Sequence, residues 1–177
     1  MLIDEFLPVY DFSERHETRI RASASKVYAA VSSTDFNESW IIWGLLSLRG
    51  LGFGSSPAKL TLRDAFDNFA TLSEKPGEEI LLGLAGKFWT PFGNLQKVDA
   101  GNFKEFNKAG FAKAVWNFSV SESNGETLLK TETRIQCLDE ESRQSFALYW
   151  TVIKPFSGLI REEMLRLIKE KAELKNN

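Results

Sequence analysis

The sequence has 177 residues, a length typical of one domain with a sizeable core, and its hydrophobic fraction of 43% argues against disorder. The 22 basic and 24 acidic residues give a formal net charge of -2, which excludes a chain-wide basic surface for nucleic acid. The aromatic residues are 14 Phe and 5 Trp against 3 Tyr, so most rings carry no hydroxyl and suit an interior built for apolar contacts.

The sequence also limits the compartment. A single cysteine, Cys137, cannot form an internal disulfide or a cysteine-rich metal site. Residues 1–8 lack the basic start and the long apolar run of a signal peptide. The longest strongly apolar run, Trp40 to Leu46, is far shorter than the roughly 20 residues that span a bilayer. We therefore expect a cytoplasmic protein with no transmembrane segment.

The first elements follow from the pattern of residues 13–31. Residues 13–21 alternate in polarity, which predicts a strand with His16, Thr18 and Ile20 on one face and charged side chains on the other. Residues 22–25 offer N-cap oxygens for a short helix whose apolar side carries Val27 and its neighbours.

A second apolar helix is predicted from Phe36 to Arg49, followed by a short helix or irregular segment from Leu60 to Phe66. The Trp40–Leu46 run within that helix is open to three interpretations: core packing, a lid, or a membrane contact in the 40–54 region. The glycines at 50, 52 and 54 do not form a dinucleotide fingerprint, because Ser55 occupies the sixth place and a helix precedes them.

Two antiparallel hairpins come next. The first joins residues 69–74 to 78–88 through a Pro76-Gly77 turn, and the second joins 113–121 to 126–137 through an Asn-Gly turn. In the second hairpin one face should be covered and the other wet, with Glu132 and Arg134 as solvated partners on the wet face. The covered face carries apolar side chains together with two threonines: Ala114, Trp116, Phe118, Val120, Leu129, Thr131, Thr133, Ile135 and Cys137.

A long amphipathic helix is predicted at the end of the chain. Acidic residues 139–141 suit its positive N-terminal end, and apolar residues recur at steps of three or four from Phe146 to Ile168. Pro155 should kink this helix, because it removes one backbone hydrogen bond. Glu162, Arg166 and Glu170 form an alternating charge ladder on the opposite face.

This order of elements resembles the helix-grip fold of the START-like (SRPBCC) superfamily, which includes polyketide cyclase/dehydrase-like proteins, the birch pollen allergen family and lipid-transfer START domains. The stretches that carry the resemblance are 14–28, and Thr131–Arg134 followed by 146–164. It implies a single α+β domain over 1–177, in which a curved antiparallel sheet wraps around the C-terminal helix, with two short helices after the first strand. It also implies a cavity between sheet and helix that holds a hydrophobic or lipid-like small molecule.

The residues partly support such a cavity by themselves. Thr131, Thr133, His16 and Thr18 lie on faces that are otherwise apolar, and a dry core avoids polar groups without partners. Polar groups on a covered apolar face are what a ligand pocket needs, although the aromatic residues fit an ordinary core equally well. The predicted cavity-lining residues are His16, Thr18, Trp116, Phe118, Thr131, Thr133, Trp150, Ile153, Phe156 and Ile160.

His16 is the only histidine, so a histidine-rich zinc site is excluded and we expect no metal and no cofactor. It is the one catalytic candidate, as a base or hydrogen-bond donor, unless it is a structural histidine bonded to backbone or solvent. Three functions stay open: binding of a hydrophobic ligand, a cyclase/dehydrase-type enzyme acting on a polyketide-like substrate, and a protein-interaction or chaperone-cofactor role. The enzyme interpretation predicts a carboxylate or hydroxyl partner for His16, and the interaction interpretation predicts an exposed apolar patch. Neither the ligand nor the oligomeric state follows from the sequence.

Overall fold

The structure, a computed structural model, describes residues 1–36, 39, 69–91 and 93–174. The helix predicted from Phe36 to Arg49, the glycines that follow it and the segment from Leu60 to Phe66 therefore lie outside the described residues, except for Phe36 itself, which is buried. The elements in chain order are α1 (Leu2–Phe6), β1 (Phe12–Ile20), α2 (Ala24–Ser33), β2 (Ala70–Lys75), β3 (Glu79–Gly86), β4 (Ala112–Ser123), β5 (Glu126–Cys137) and α3 (Glu140–Glu173).

The five strands form one antiparallel sheet in the order β1-β5-β4-β3-β2. The two predicted hairpins are present, and the β4–β5 turn has positive φ at Asn124 (55°) and Gly125 (79°), the conformation that favours Asn-Gly. The register places His16 opposite Thr131 and Trp116 opposite Thr133. Because side chains alternate along each strand, these four residues share one face of the sheet.

Helix α3 packs on that face, together with α2. The core between them and the sheet is apolar, and its largest fully buried members include Phe36, Ile20, Phe118 and Leu129. Asp139 caps α3 by accepting a hydrogen bond from the Ser142 backbone N–H at 2.7 Å, as its acidic start suggested. The helix continues through Pro155, and the kink expected there stays a prediction.

The opposite face of the sheet is not wholly wet, and the expectation that Glu132 and Arg134 are solvated is wrong. Both are buried, because α1 and the loop around Phe103 cover a second apolar cluster on this face. Arg134 lies 2.7 Å from Glu132 and 2.8 Å from Asp4 of α1, and it donates to the Leu7 carbonyl. The sequence pattern did not predict α1, a helix of only five residues.

The solvent-facing side of α3 changes character along its length. Between residues 148 and 159 it carries Leu148, Val152 and Leu159, whose exposed fractions are 77%, 64% and 52%. Toward the C-terminus it is charged, and Arg166 bonds to both Glu163 and Glu170. Arg166 thus pairs with Glu170 as predicted, but its second partner is Glu163 in place of Glu162. No helix within the described ranges is long and apolar enough to cross a membrane.

Candidate functional site

The predicted cavity-lining residues of the strands all point toward α3. His16 and Thr18 are half-buried, whereas Trp116, Thr131 and Thr133 are buried. Phe118 is also buried, and on α3 the remaining predicted residues are half-buried: Trp150, Ile153, Phe156 and Ile160.

A buried arginine of α3 organises the polar contacts between helix and sheet. The Arg161 guanidinium donates through Nη2 to the Thr133 hydroxyl at 2.6 Å and through Nη1 to the Ser157 carbonyl at 3.1 Å and to the Ser157 hydroxyl. Its Cζ lies 5.2 Å from the centre of the Trp116 ring, within cation–π range. Arg161 therefore links α3 to β4 and β5.

Glu14 of β1 supplies the opposite charge. Its Oε2 lies 3.2 Å from Arg161 Nη1, and both side chains are buried. Gly158 allows this approach, because a Cβ at that position would stand only 3.0 Å from Glu14 Oε1. Helix α3 thus comes closest to Glu14 of β1 at Gly158, where the helix has no side chain.

His16 connects this buried pair to the surface. Its Nε2 lies 3.2 Å from Glu14 Oε1, and its Nδ1 lies 3.7 Å from Glu162 Oε1. The exposed fractions of the His16 and Glu162 side chains are 19% and 66%. An imidazole held between a buried and an exposed carboxylate is suited to moving a proton between them.

The structure separates the other predicted residues by role. Thr131 accepts a hydrogen bond from Trp116 Nε1 at 2.5 Å and donates to the Asn117 carbonyl at 2.8 Å, so protein groups already engage its hydroxyl on both sides. Trp150 stacks on Phe146 with ring centres 5.6 Å apart. It lies three helical turns from Arg161, about 16 Å along the axis at 1.5 Å per residue, so it belongs to a separate aromatic cluster.

Three residues that form the polar contacts between helix and sheet were missed by the sequence prediction: Glu14, Ser157 and Arg161. The alternation that places His16 on the covered face of β1 places Glu14 there too. Arg161 lies next to Ile160 and three residues before Met164, so it interrupts the apolar face of α3. The sequence signal that could have identified Glu14 and Arg161 is that each is a charged residue on an otherwise apolar face.

The sole thiol lies near the start of α3. Burial raises the pKa of Cys137 to about 12, and the carboxylates of Asp11 and Asp139 add to the rise. The pKa of Asp139 itself falls to about 2, because the Ser142 hydroxyl and backbone N–H and the Gly110 N–H donate to its carboxylate. Cys137 is therefore protonated at neutral pH and does not supply a nucleophile.

The topology establishes the fold class. A five-stranded antiparallel sheet in the order β1-β5-β4-β3-β2 carries the long α3 across one face, with α2 following the first strand. This arrangement is the helix-grip fold that the sequence resemblance implies. Among the described residues of this helix-grip domain, no group of three or more His, Cys, Asp and Glu side chains is placed to hold a metal ion.

Comparisons with known proteins found similarity in structure alone. No protein-family model and no curated protein sequence matches the chain. The di-domain ARO/CYC BexL from the BE-7585A biosynthetic pathway has a TM-score of 0.44 and 13% identity, over 93% of this chain and 50% of that chain. The helix-grip chain described here thus spans about half the length of that di-domain protein.

Two further structures show similarity of the same order. An AHSA1-like protein from Rhizobium etli has a TM-score of 0.40 and 15% identity, over 93% of this chain and 84% of its own. A hypothetical protein from Helicobacter pylori has a TM-score of 0.45 and 10% identity, over 96% and 93% of the two chains.

Proposed function

We propose that this helix-grip protein binds a hydrophobic or lipid-like small molecule between its sheet and α3. The observation that carries the proposal is the charged cluster of Glu14, His16 and Arg161 between helix and sheet. Removing such charges from water costs several kcal/mol per ion, and apolar side chains of similar volume are often at least as stable in their place. A stability role alone gives little reason for the cluster, whereas a binding site needs polar groups that fix a ligand's orientation.

The apolar part of the proposed site lies on α3. Ile153, Phe156 and Ile160 flank Ser157 and Arg161 in sequence and are only half-buried. Their exposed remainder is apolar surface that a bound molecule would cover at about 25 cal/mol per Å². The combination of a few directed polar groups with such a wall is typical of sites for small amphipathic molecules.

Native mass spectrometry of the protein purified from its own host tests the proposal. We expect an adduct of small-molecule mass that organic extraction removes. Titration with the apolar dye Nile red then reports on the emptied protein. Phe156→Ala should weaken dye binding several-fold, whereas Val152→Ala, which changes a residue on the solvent-facing side of the same helix, should leave it unchanged.

Two results would contradict the proposal: a wild-type protein with neither an adduct nor dye binding, or equal effects of the two variants. The first result would favour the interaction interpretation, for which α3 presents Leu148, Val152 and Leu159 to solvent.

A cyclase/dehydrase-type enzyme is the second candidate. The specific observation in its favour is the 3.2 Å contact between His16 Nε2 and Glu14, because a carboxylate partner orients an imidazole for acid–base chemistry. Incubation with a short β-polyketone thioester tests it. His16→Asn should abolish turnover and keep Nile red binding, and turnover that survives this substitution would exclude His16 as the acid–base group.

A further inference from the structure

The outward side of α3 carries apolar side chains where a surface helix is normally charged or polar. The side of α3 that packs on the sheet is marked by buried residues such as Phe146 and Met164. At about 3.6 residues per turn, the exposed Leu148, Val152 and Leu159 lie on the opposite side of the helix. They therefore contribute nothing to the contact between helix and sheet, and a contiguous apolar surface of this kind marks a site of association.

These side chains belong to a row that repeats every seven residues. The row descends α3 in alternating steps of four and three positions: Leu148, Val152, Pro155, Leu159, Glu162 and Arg166. Glu141, one heptad before Leu148, extends the same row into the first turn. Such spacing is typical of the seam along which two helices pack side by side. We call this row the outer seam; its middle is apolar and its two ends are charged.

The apolar middle of the outer seam is complementary to itself when two copies of α3 run antiparallel. A twofold axis that passes midway between Val152 and Pro155 sets these two residues opposite each other in the two copies. It also sets Leu148 opposite Leu159. Each copy then covers the exposed apolar side chains of the other with the same surface, as in an isologous interface.

The charged ends of the outer seam select this register and direction. In the antiparallel register Glu141 of each copy lies opposite Arg166 of the other, so opposite charges meet at both ends. A parallel pair would set each of these charges opposite its own equivalent. An antiparallel pair shifted by seven residues would set Glu141 opposite Leu159 or Arg166 opposite Leu148. Charge complementarity therefore favours one arrangement.

The Arg166 side chain can make this contact without giving up a bond. A guanidinium has five N–H donors, and in Arg166 three of them donate to Glu163 and Glu170. Two donors are left for a carboxylate of a second copy. The side chain is half exposed, and Glu141 is exposed in the first turn of α3.

The same charges argue against a lipid surface as the occupant. Helices that lie on membranes carry Lys and Arg beside their apolar face, because anionic headgroups attract them. The outer seam instead has Glu141 before its apolar part and Glu162 directly after it, and both are exposed. These carboxylates would be repelled by anionic lipid.

We propose that the protein forms a twofold-symmetric dimer in which the outer seams of two α3 helices pack antiparallel. This goes beyond the proposed ligand binding, since the seam faces away from the sheet. The apolar part spans about 16 Å of helix, and one helix pair buries less than the roughly 800 Å² per partner of a standard interface. We therefore expect a reversible dimer with a dissociation constant in the micromolar range.

Sedimentation equilibrium of the full chain from about 1 µM to 1 mM measures the association. Val152→Glu places one carboxylate from each copy in the apolar middle of the seam, and should raise the dissociation constant at least tenfold. Val9→Glu is the matched control, because Val9 is exposed to a similar degree (68%) and lies before β1, away from α3. The control should associate like the wild type. Circular dichroism establishes that each variant is folded.

Disulfide trapping tests the direction of the helices. In a Cys137→Ser background, protein with Leu148→Cys is mixed with protein with Leu159→Cys and oxidised. The antiparallel dimer brings these two positions together, whereas the two copies of position 148 stay about 16 Å apart along the axis, too far for a disulfide. Disulfide-linked dimer should therefore form in the mixture and not in either protein alone.

Four results would overturn the inference. The first is a wild type that stays monomeric over the whole concentration range, and the second is equal association of the wild type and Val152→Glu. The third is a disulfide dimer of Leu148→Cys alone, which would show a parallel pair. The fourth is a monomer that floats with phosphatidylcholine and phosphatidylglycerol vesicles and loses this binding in Val152→Glu, which would make a membrane the occupant.

Discussion

Replacement of Arg161 by Met should be among the most destabilising single changes in the described part of the chain. Met keeps the length and much of the volume of the side chain but removes its charge and its hydrogen bonds. Glu14 would then be a buried carboxylate without its counterion, and Thr133 and Ser157 would lose their donors. Breaking a buried ion pair from one side costs about 3–5 kcal/mol, so we expect a loss of that size in the free energy of unfolding.

The double-variant cycle isolates the pair from general packing effects. Glu14→Leu combined with Arg161→Met leaves neither charge buried, so this protein should recover most of the stability that Arg161→Met loses. Urea unfolding followed by circular dichroism and tryptophan fluorescence measures the free energy of unfolding for each protein. Arg166→Met is the matched control, because Arg166 lies on the same helix with its side chain half exposed to solvent.

Two results would refute this reasoning. If Arg161→Met costs no more than Arg166→Met, the buried environment of Arg161 does not strengthen its interactions. If the double variant is as unstable as the sum of the single variants, Glu14 and Arg161 are not coupled, and the 3.2 Å contact has no energetic consequence.

Three further predictions concern the close approach of α3 to β1 and the charges at the start of that helix. Gly158→Ala should lower stability by about 1 kcal/mol, because contact with the fixed Glu14 carboxylate outweighs the gain in helix propensity; a more stable variant in urea would show that the carboxylate can move. The pKa of Asp139 is lower in the folded protein (about 2) than the ordinary 3.8, so its contribution is present above pH 4 and is lost as the pH falls toward 2. Asp139→Asn keeps the cap but should flatten stability over that range, and an unchanged acid-unfolding curve would contradict the assignment. The pKa of Cys137 rises from 9.0 to about 12 in the folded protein. Its reaction with a disulfide reagent at pH 8 should therefore be roughly a thousandfold slower in the folded than in the unfolded protein, and equal rates would show that folding does not raise this pKa.

The sequence by itself determined the faces of the sheet and the order of the elements. Alternation in β1, β4 and β5 placed His16, Trp116 and Thr133 on the covered side, because side chains alternate across a strand whatever packs against it. The Asn-Gly turn fixed the β4–β5 register locally, and the three-to-four-residue spacing of apolar residues fixed the helical nature of α3. These features depend on neighbours along the chain.

Only the tertiary structure decided what the polar residues contact. Arg161 meets Glu14 from a position 147 residues away in the chain, and no local pattern specifies that pairing. The same is true on the other face of the sheet, where the contact of α1 with Arg134 converts a surface that alternation describes as wet into a buried one. Alternation tells which side of a strand a residue occupies but not which element covers that side. The aromatic excess of the sequence is consistent with either a core or a ligand site, and the buried charges on which the proposed site rests come together only where the helix packs on the sheet.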